Sequence, residues 1–262
     1  MEQAAPPRII LVTGATSGIG EAVARMFAEA GWRVIIAGRR RDRLEALKRE
    51  LEGLHGTVEG GSAVVALRMD VRQRTEVERA LQNLPSGWTD IDVLVNNAGL
   101  ARGLEPFHEG HVDDWEEMVD TNLKGLFYVT KSVVPGMVAR GKGHVINIGS
   151  TAGKDAYPKG NVYCATKAAV DSFTKALRID LLAAGIKVTQ VAPGAVETEF
   201  SEVRFHGDEQ RAKQVYQGFR PLTAKDVAGV VHYVATLPPH VCINEVVVTP
   251  TAQANSNFIS RQ

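Results

Sequence analysis

Arg8-Ile-Ile-Leu-Val-Thr-Gly-Ala-Thr-Ser-Gly-Ile-Gly20 opens on a short β-branched run and passes into a loop with glycines at 14, 18 and 20. Residues 18–30 then show helical periodicity, Gly31 ends that pattern, and residues 33–37 are apolar again. The segment is a βαβ unit. Glycine allows a tight turn and close backbone approach, and a helix N-terminus presents free N–H groups to a pyrophosphate. Gly14, Ser17, Gly18, Ile19 and Gly20 are therefore candidate cofactor residues. The GxxxGxG spacing departs from the GxGxxG fingerprint, so position after the first strand carries the inference. A plain strand-helix turn is the alternative.

The same alternation continues along the chain. Helical periods at 41–51, 74–84, 112–140, 161–183 and 224–237 alternate with apolar runs at 63–69, 91–95, 145–148, 186–191 and 243–248. Near-continuous apolar strands between helices imply a parallel sheet covered on both faces. The expected fold class is α/β, a single Rossmann-type doubly wound domain over residues 1–262 with a short flexible N-terminus at 1–7. The 262 residues, 44% hydrophobic, suffice for a packed core. Thirty basic and thirty acidic residues, spread along the chain, suggest neither a nucleic-acid nor an acidic-membrane partner. No apolar run approaches a membrane span, and the N-terminus lacks an apolar signal core, so a cytoplasmic protein is expected. Cys164 and Cys242 are far apart and in no metal-ligand spacing, and either suits a buried small hydrophobe.

Ala37-Gly-Arg-Arg-Arg-Asp-Arg43 follows the second strand, where an NAD-selective fold would carry an acidic residue for the ribose 2′-hydroxyl. Arginines ahead of a helix oppose its positive end, a cost that a bound 2′-phosphate explains. Arg39 and Arg40 are the candidates for holding NADP, with Arg41 and Arg43 solvated. Asp70, ending the third strand, can accept from an adenine amino group or cap a turn. Asn96-Asn-Ala-Gly99 and Pro193-Gly194 lie where loops leave the carboxyl edge of the sheet, and Thr198 and Glu199 can start another helix. Asn122 is a poor helix former that can divert a backbone hydrogen bond and hold a water. His108 and His111 lie in a polar loop, so no metal is expected there.

Chemistry centres on Tyr163-Cys-Ala-Thr-Lys167, with Ser150 closing the apolar run that starts at His144. In a helix the four-residue spacing puts the phenol of Tyr163 and the ammonium of Lys167 on one face. A phenol is a poor acid-base at neutral pH unless its phenolate is favoured. Two unit charges about 4 Å apart at an effective dielectric of about 20 interact by roughly 4 kcal/mol, about three pKa units. Burial works the other way, so Lys167 and any bound cation must outweigh desolvation. A helix that merely buries a tyrosine and solvates a lysine is the bland alternative.

In order along the chain, TGATSGIG at 13–20, Asp70, NNAG at 96–99, Asn122, Ser150, YxxxK at 163–167 and PG at 193–194 resemble the short-chain dehydrogenase/reductase family. The resemblance implies that Tyr163 is the general acid-base. Lys167 would lower its pKa and hold the nicotinamide ribose, Ser150 would steady the substrate oxygen, and Asn122 would keep a water in the proton relay. It places Asp70 against adenine, and adds Val71, Asn97, Ala98, Gly99, Pro193, Gly194, Val196 and Thr198 to the cofactor contacts. It also implies a homotetramer packed through the long helix and the catalytic helix. Segments 91–106, 114–125, 146–166 and 198–207 are similar to the bacterial NADP-dependent 3-hydroxy acid dehydrogenases, which oxidise serine or allo-threonine and reduce malonic semialdehyde. A carbonyl or 3-oxoacyl reductase is the nearer alternative, although the last strand lacks the Gly-Gly pair many such reductases carry. A non-catalytic NADP-binding regulator is the alternative of another class, and the intact Ser150, Tyr163, Lys167 and Asn122 set argues against it. Ser17 stands where many NADP-preferring members carry a basic residue, so selectivity would rest on Arg39 and Arg40. A hydroxy acid needs its carboxylate recognised. Arg204, after the PG break, is the substrate candidate beside Ser150 and Tyr163, with pairing to Glu199 or Glu202 as the alternative.

Overall fold

A computed structural model describes residues 8–55 and 62–262. The N-terminal residues 1–7, expected to be flexible, lie outside the described residues. The first βαβ unit consists of β1 (Ile9–Thr13), α1 (Gly18–Glu29) and β2 (Arg33–Gly38). Successive side chains of β1 face opposite layers. Ile10 and Val12 pack with Val23 and Phe27 of α1, while Ile9 and Leu11 join a separate cluster with Val77, Val133 and Leu177. Fully burying each such side chain contributes about 1.5–3 kcal/mol. Two cores, one on each face, thus share one sheet.

Next come α2 (Arg41–His55), β3 (Val64–Arg68), α3 (Arg74–Gln82) and β4 (Val93–Asn96). The expected helix over 112–140 runs as α4 (Val112–Val119), a wider π-helical stretch (Asp120–Gly125) and α5 (Leu126–Arg140). That interruption corrects the expectation of a uniform helix. Its physical reason is Asn122, which sends its side chain to protein partners across the site. Then follow β5 (His144–Ile148), α6 (Asn161–Asp180) and β6 (Lys187–Pro193). Helix α6 stops at Asp180, and residues 182–184 form a separate turn of 3₁₀-helix before Gly185 takes a left-handed φ of 70°.

After β6 the chain leaves the sheet through β7 (Val196–Glu197), α7 (Phe200–Arg204), α8 (Glu209–Gln214) and β8 (Leu222–Thr223). β7 and β8 pair parallel and close this excursion at its base. A capping box between Thr223 and Asp226 starts α9 (Ala224–Thr236), and β9 (Glu245–Val248) ends the sheet. The sheet order is β3-β2-β1-β4-β5-β6-β9, every pairing parallel. The order reverses between β1 and β4, and ligands of such sheets bind beyond the strand C-termini at this switch point. The expected single-domain, doubly wound α/β fold is the one observed. Cys164 is buried, whereas Cys242 is exposed rather than the small core residue it resembled.

Candidate active site

Beyond the C-termini of β1, β4, β5 and β6 lies a cleft of about 750 Å³. Its glycine turn is interlocked with its surroundings. Gly14 and Gly18 hold left-handed φ of 66° and 54°, and a Cβ on Gly14 would meet Ala98 Cα at 2.9 Å. Asn97 Nδ2 donates to the carbonyls of Thr13 (2.9 Å) and Gly14 (3.2 Å), and the Thr13 hydroxyl accepts from the amides of Asn97 and Ala98. Asn97 is therefore a staple of the turn, beyond the simple loop-former that composition suggests. The Ser17 side chain makes no cap bond to α1, leaving the first-turn amides open toward the cleft. A diphosphate fits that cradle.

Gly38, Arg39, Arg40, Asp70 and Val71 continue the same wall. Arg40 lies across the glycine turn, its Nη2 donating to the Thr16 carbonyl (3.1 Å) and to Ser17 Oγ (2.8 Å). Arg39 is half exposed, with Asp70 and Glu117 at 4.0 and 3.9 Å. Arg41 is exposed, but Arg43 is not simply solvated, since it forms an ion pair with Glu199. Asp70 takes the turn-capping option, accepting from the Arg72 amide at 3.0 Å and from the Arg72 guanidinium. Burial pushes its carboxyl up, yet the Arg72 bonds prevail and hold it below the ordinary range.

On the opposite wall stand Ser150, Tyr163 and Lys167. Ser150 caps a 3₁₀ turn at 151–153, its Oγ accepting from the Ala152 amide at 3.1 Å. Tyr163 and Lys167 share one face of α6 and are 8% and 7% exposed. Lys167 Nζ donates to the Ile148 carbonyl at 3.0 Å and lies 6.0 Å from the Tyr163 ring centroid. Burial pushes the phenol well above its usual value and Tyr157 adds to this, while hydrogen bonding with Ser150 and the charge of Arg204 oppose it. Burial also lowers Lys167 to about 8. In the protein alone, desolvation thus outweighs the help expected from Lys167, and Tyr163 is held neutral. Asn122 Nδ2 spends both hydrogens on the Leu100 carbonyl (2.9 Å) and Thr166 Oγ1 (3.0 Å), while its Oδ1 accepts from the Leu100 amide. The carboxamide thereby clamps the loop after β4 to the catalytic helix; its donors are not free for a water.

Arg204 reaches this wall from α7. Its Nε donates to the Gly103 carbonyl at 2.9 Å, and its guanidinium lies 5.4 Å and 5.7 Å from the ring centroids of Tyr157 and Tyr163. It pairs with neither Glu199 nor Glu202. Pro193, Gly194, Val196 and Thr198 line the cleft. Two aromatic neighbours escaped the sequence reading. Phe200 meets the Tyr163 ring edge-on at 5.6 Å, and Tyr157 lies under Arg204. The four-residue spacing of Phe200 and Arg204 was the available signal for the first; nothing local marks Tyr157.

An interlocked glycine turn at a topological switch point, facing a Ser-Tyr-Lys set whose tyrosine and lysine are buried, defines an enzyme that binds a dinucleotide and works on a carbon-oxygen bond. The chain belongs to the short chain dehydrogenase family, whose model matches residues 8–209. It is 53% identical over 247 residues to the NADP-dependent 3-hydroxy acid dehydrogenase YdfG of Salmonella typhi, covering 94% of this chain and 96% of that one. It is 46% identical over 251 residues to sulfoacetaldehyde reductase 2 of Chromohalobacter salexigens, covering 95% and 97%. The closed form of serine dehydrogenase complexed with NADP+ superposes with a TM-score of 0.90 at 49% identity, covering 97% of this chain and all of that one.

Proposed function

We propose that this protein is an NADP-dependent dehydrogenase of small 3-hydroxy acids, of the serine, allo-threonine, 3-hydroxypropionate or 3-hydroxyisobutyrate type. The observation that carries the reading is the meeting of the Tyr163 phenol, the Ser150 hydroxyl and the Arg204 guanidinium in one cleft. Two hydroxyls suit the oxygen that alternates between carbonyl and alkoxide, and a guanidinium suits the carboxylate two carbons away. The similarity to an NADP-dependent 3-hydroxy acid dehydrogenase and to serine dehydrogenase complexed with NADP+ supports the same cofactor and substrate class.

Bound NADP supplies the acceptor for the hydride leaving the carbinol carbon. Its diphosphate would rest on the open amides of α1, its 2′-phosphate on Arg39 and Arg40, its adenine near Asp70 and Val71, and its nicotinamide ribose on Lys167 and the loops at 97–99 and 193–198. Tyr163 takes the hydroxyl proton in oxidation and returns it in reduction, and Ser150 holds the same oxygen. Since burial keeps the phenol protonated at neutral pH, the protein on its own is poised to donate, and oxidation gains as pH rises. Phe200 and Arg204, on the same short helix, bring dryness and charge recognition to the site together.

Helices α5 and α6 support the homotetramer. Phe127 of α5 and Ile179 of α6 are apolar side chains left 39% and 75% exposed, surface of the kind an interface between copies covers. Light scattering on the eluted protein gives the mass directly. Among the described residues no helix is long and apolar enough to cross a membrane. NADPH absorbance with L-serine, allo-threonine, 3-hydroxypropionate and 3-hydroxyisobutyrate at alkaline pH tests the reaction. Turnover with these acids is expected, and failure with all four sinks the assignment. Equal efficiency with NAD and NADP would remove the role given to Arg39 and Arg40.

A further inference from the structure

Two of the arginines after β2, Arg40 and Arg43, are paired from across the cleft. Glu199, which precedes α7, lies 159 positions beyond Arg40, yet its Oε2 accepts from Arg40 Nη1 at 2.9 Å. Its Oε1 accepts from Arg43. The remaining nitrogens of Arg40 hold Thr16 and Ser17, so one guanidinium joins the glycine turn to the start of α7. Burial raises the Glu199 carboxyl, but the bonds from Arg43 and Arg40 prevail and hold it below its ordinary value. Arg39 has no comparable partner, since its carboxylates stand at 3.9 and 4.0 Å.

A phosphate dianion recruits guanidinium N–H groups in the same bidentate fashion as a carboxylate. Glu199 is thus a tethered rival for the donors that a 2′-phosphate needs, and it adds a like charge beside that phosphate. A nucleotide with a free 2′-hydroxyl makes no claim on Arg40 or Arg43 and meets no rival. The rival also sits at the N-cap of α7, five positions ahead of Arg204. Exchange of Arg40 from carboxylate to phosphate therefore loosens the start of the helix that carries the substrate arginine.

We infer that Glu199 is a cofactor-specificity residue, the internal counter-ion that Arg40 and Arg43 give up when a 2′-phosphate binds, so that the bound cofactor's phosphate is sensed at α7. The inference rests on the NADP reading above. Fluorescence titration with NADPH and NADH compares the wild type with Glu199→Gln, which keeps shape and loses charge. The variant is expected to bind NADPH roughly three- to tenfold tighter, with NADH unchanged, because two half-exposed pairs compete with the phosphate. High salt should narrow the difference. A wild type that prefers NADPH, with the same preference in the variant, overturns this inference alone. A wild type without preference overturns the NADP reading, and this inference with it. Backbone hydrogen exchange on the wild type needs no variant: 2′,5′-ADP should speed exchange over residues 200–204 and 5′-AMP should not. Equal responses to the two nucleotides overturn the inference.

Discussion

The floor of the cleft and the segment arching over it are built on opposite terms. On the floor, the positioning side chains are held by buried or half-buried bonds to their surroundings: Asn97 to β1, Asn122 to the Leu100 loop and α6, Lys167 to the end of β5. Beneath them Asn147 bridges Asn96 and Thr174 across β4, β5 and α6. The arch over 196–223 consists of two-residue strands and helices of five and six residues. It is moored at a few points, among them Arg40 to Glu199, Arg102 to the Val203 carbonyl, Arg204 to Gly103, and Arg261 to Val215. Electrostatic preorganisation demands a rigid floor, whereas admitting and releasing substrate demands a part of low local stability. Reaction and recognition are thus divided between the two regions.

That division breaks most visibly at the phenol. Tyr163→Phe keeps the ring against Phe200 and removes only the proton carrier, so kcat should fall roughly 10²–10⁴-fold with NADPH affinity intact. Retained turnover would move the acid-base to another group.

Next in size is a pH effect on the floor itself. Lys167 drops to about 8 in the folded protein from 10.5. Between those values the unfolded chain binds a proton that the native state lacks, so stability rises with pH across that window. The rise is worth about 3 kcal/mol at most, since one pKa unit is 1.36 kcal/mol. Urea unfolding at pH 7 and pH 10 should show this gain in the wild type and not in Lys167→Met. Parallel behaviour of the two would mean the ammonium is better solvated than its position implies.

Most of the floor was legible in the sequence and much of the arch was not. The glycine turn, YxxxK and the strand-helix alternation are local signals, set by backbone freedom and side-chain period. The partners of Asn122 and Glu199 lie 22 and 159 positions away, and no local pattern encodes them. The π-helical stretch at 120–125 depends on the same long-range clamp, so periodicity alone reads it as ordinary helix. Likewise α8 is six residues of mostly polar chain, short enough that only its Asp208 cap marks it. Arg204 was legible as an arginine suited to a carboxylate, while its placement over two tyrosines required the fold.

A smaller effect sharpens the arch. Arg204→Ala removes a charged hydrogen-bond donor, typically worth about 1.5–3 kcal/mol, so kcat/KM for hydroxy acids should fall roughly 10- to 150-fold. Uncharged alcohols should be turned over as before. Equal losses for both classes would assign Arg204 to holding Gly103 rather than to the substrate.

The smallest effect concerns the outer mooring. Arg261 donates to the carbonyls of Val215 and Gln217, lies 5.1 Å from the Phe219 ring centroid, and is flanked by the bond from the Gln262 amide to Gly218. These contacts are exposed and touch only the arch. Arg261→Ala should therefore leave the urea midpoint where it is, because the two cores on the sheet are untouched. Its cost falls on the local order of the arch, about 1 kcal/mol, which appears as a KM for the hydroxy acid raised by up to about fivefold at unchanged kcat. Tryptic cleavage at Arg211 and Lys213 should quicken in parallel, since both lie on α8 within the loosened segment. A lowered midpoint with unchanged KM would show instead that residues near 261 brace the whole domain, and the line between rigid floor and loose arch would have to be redrawn.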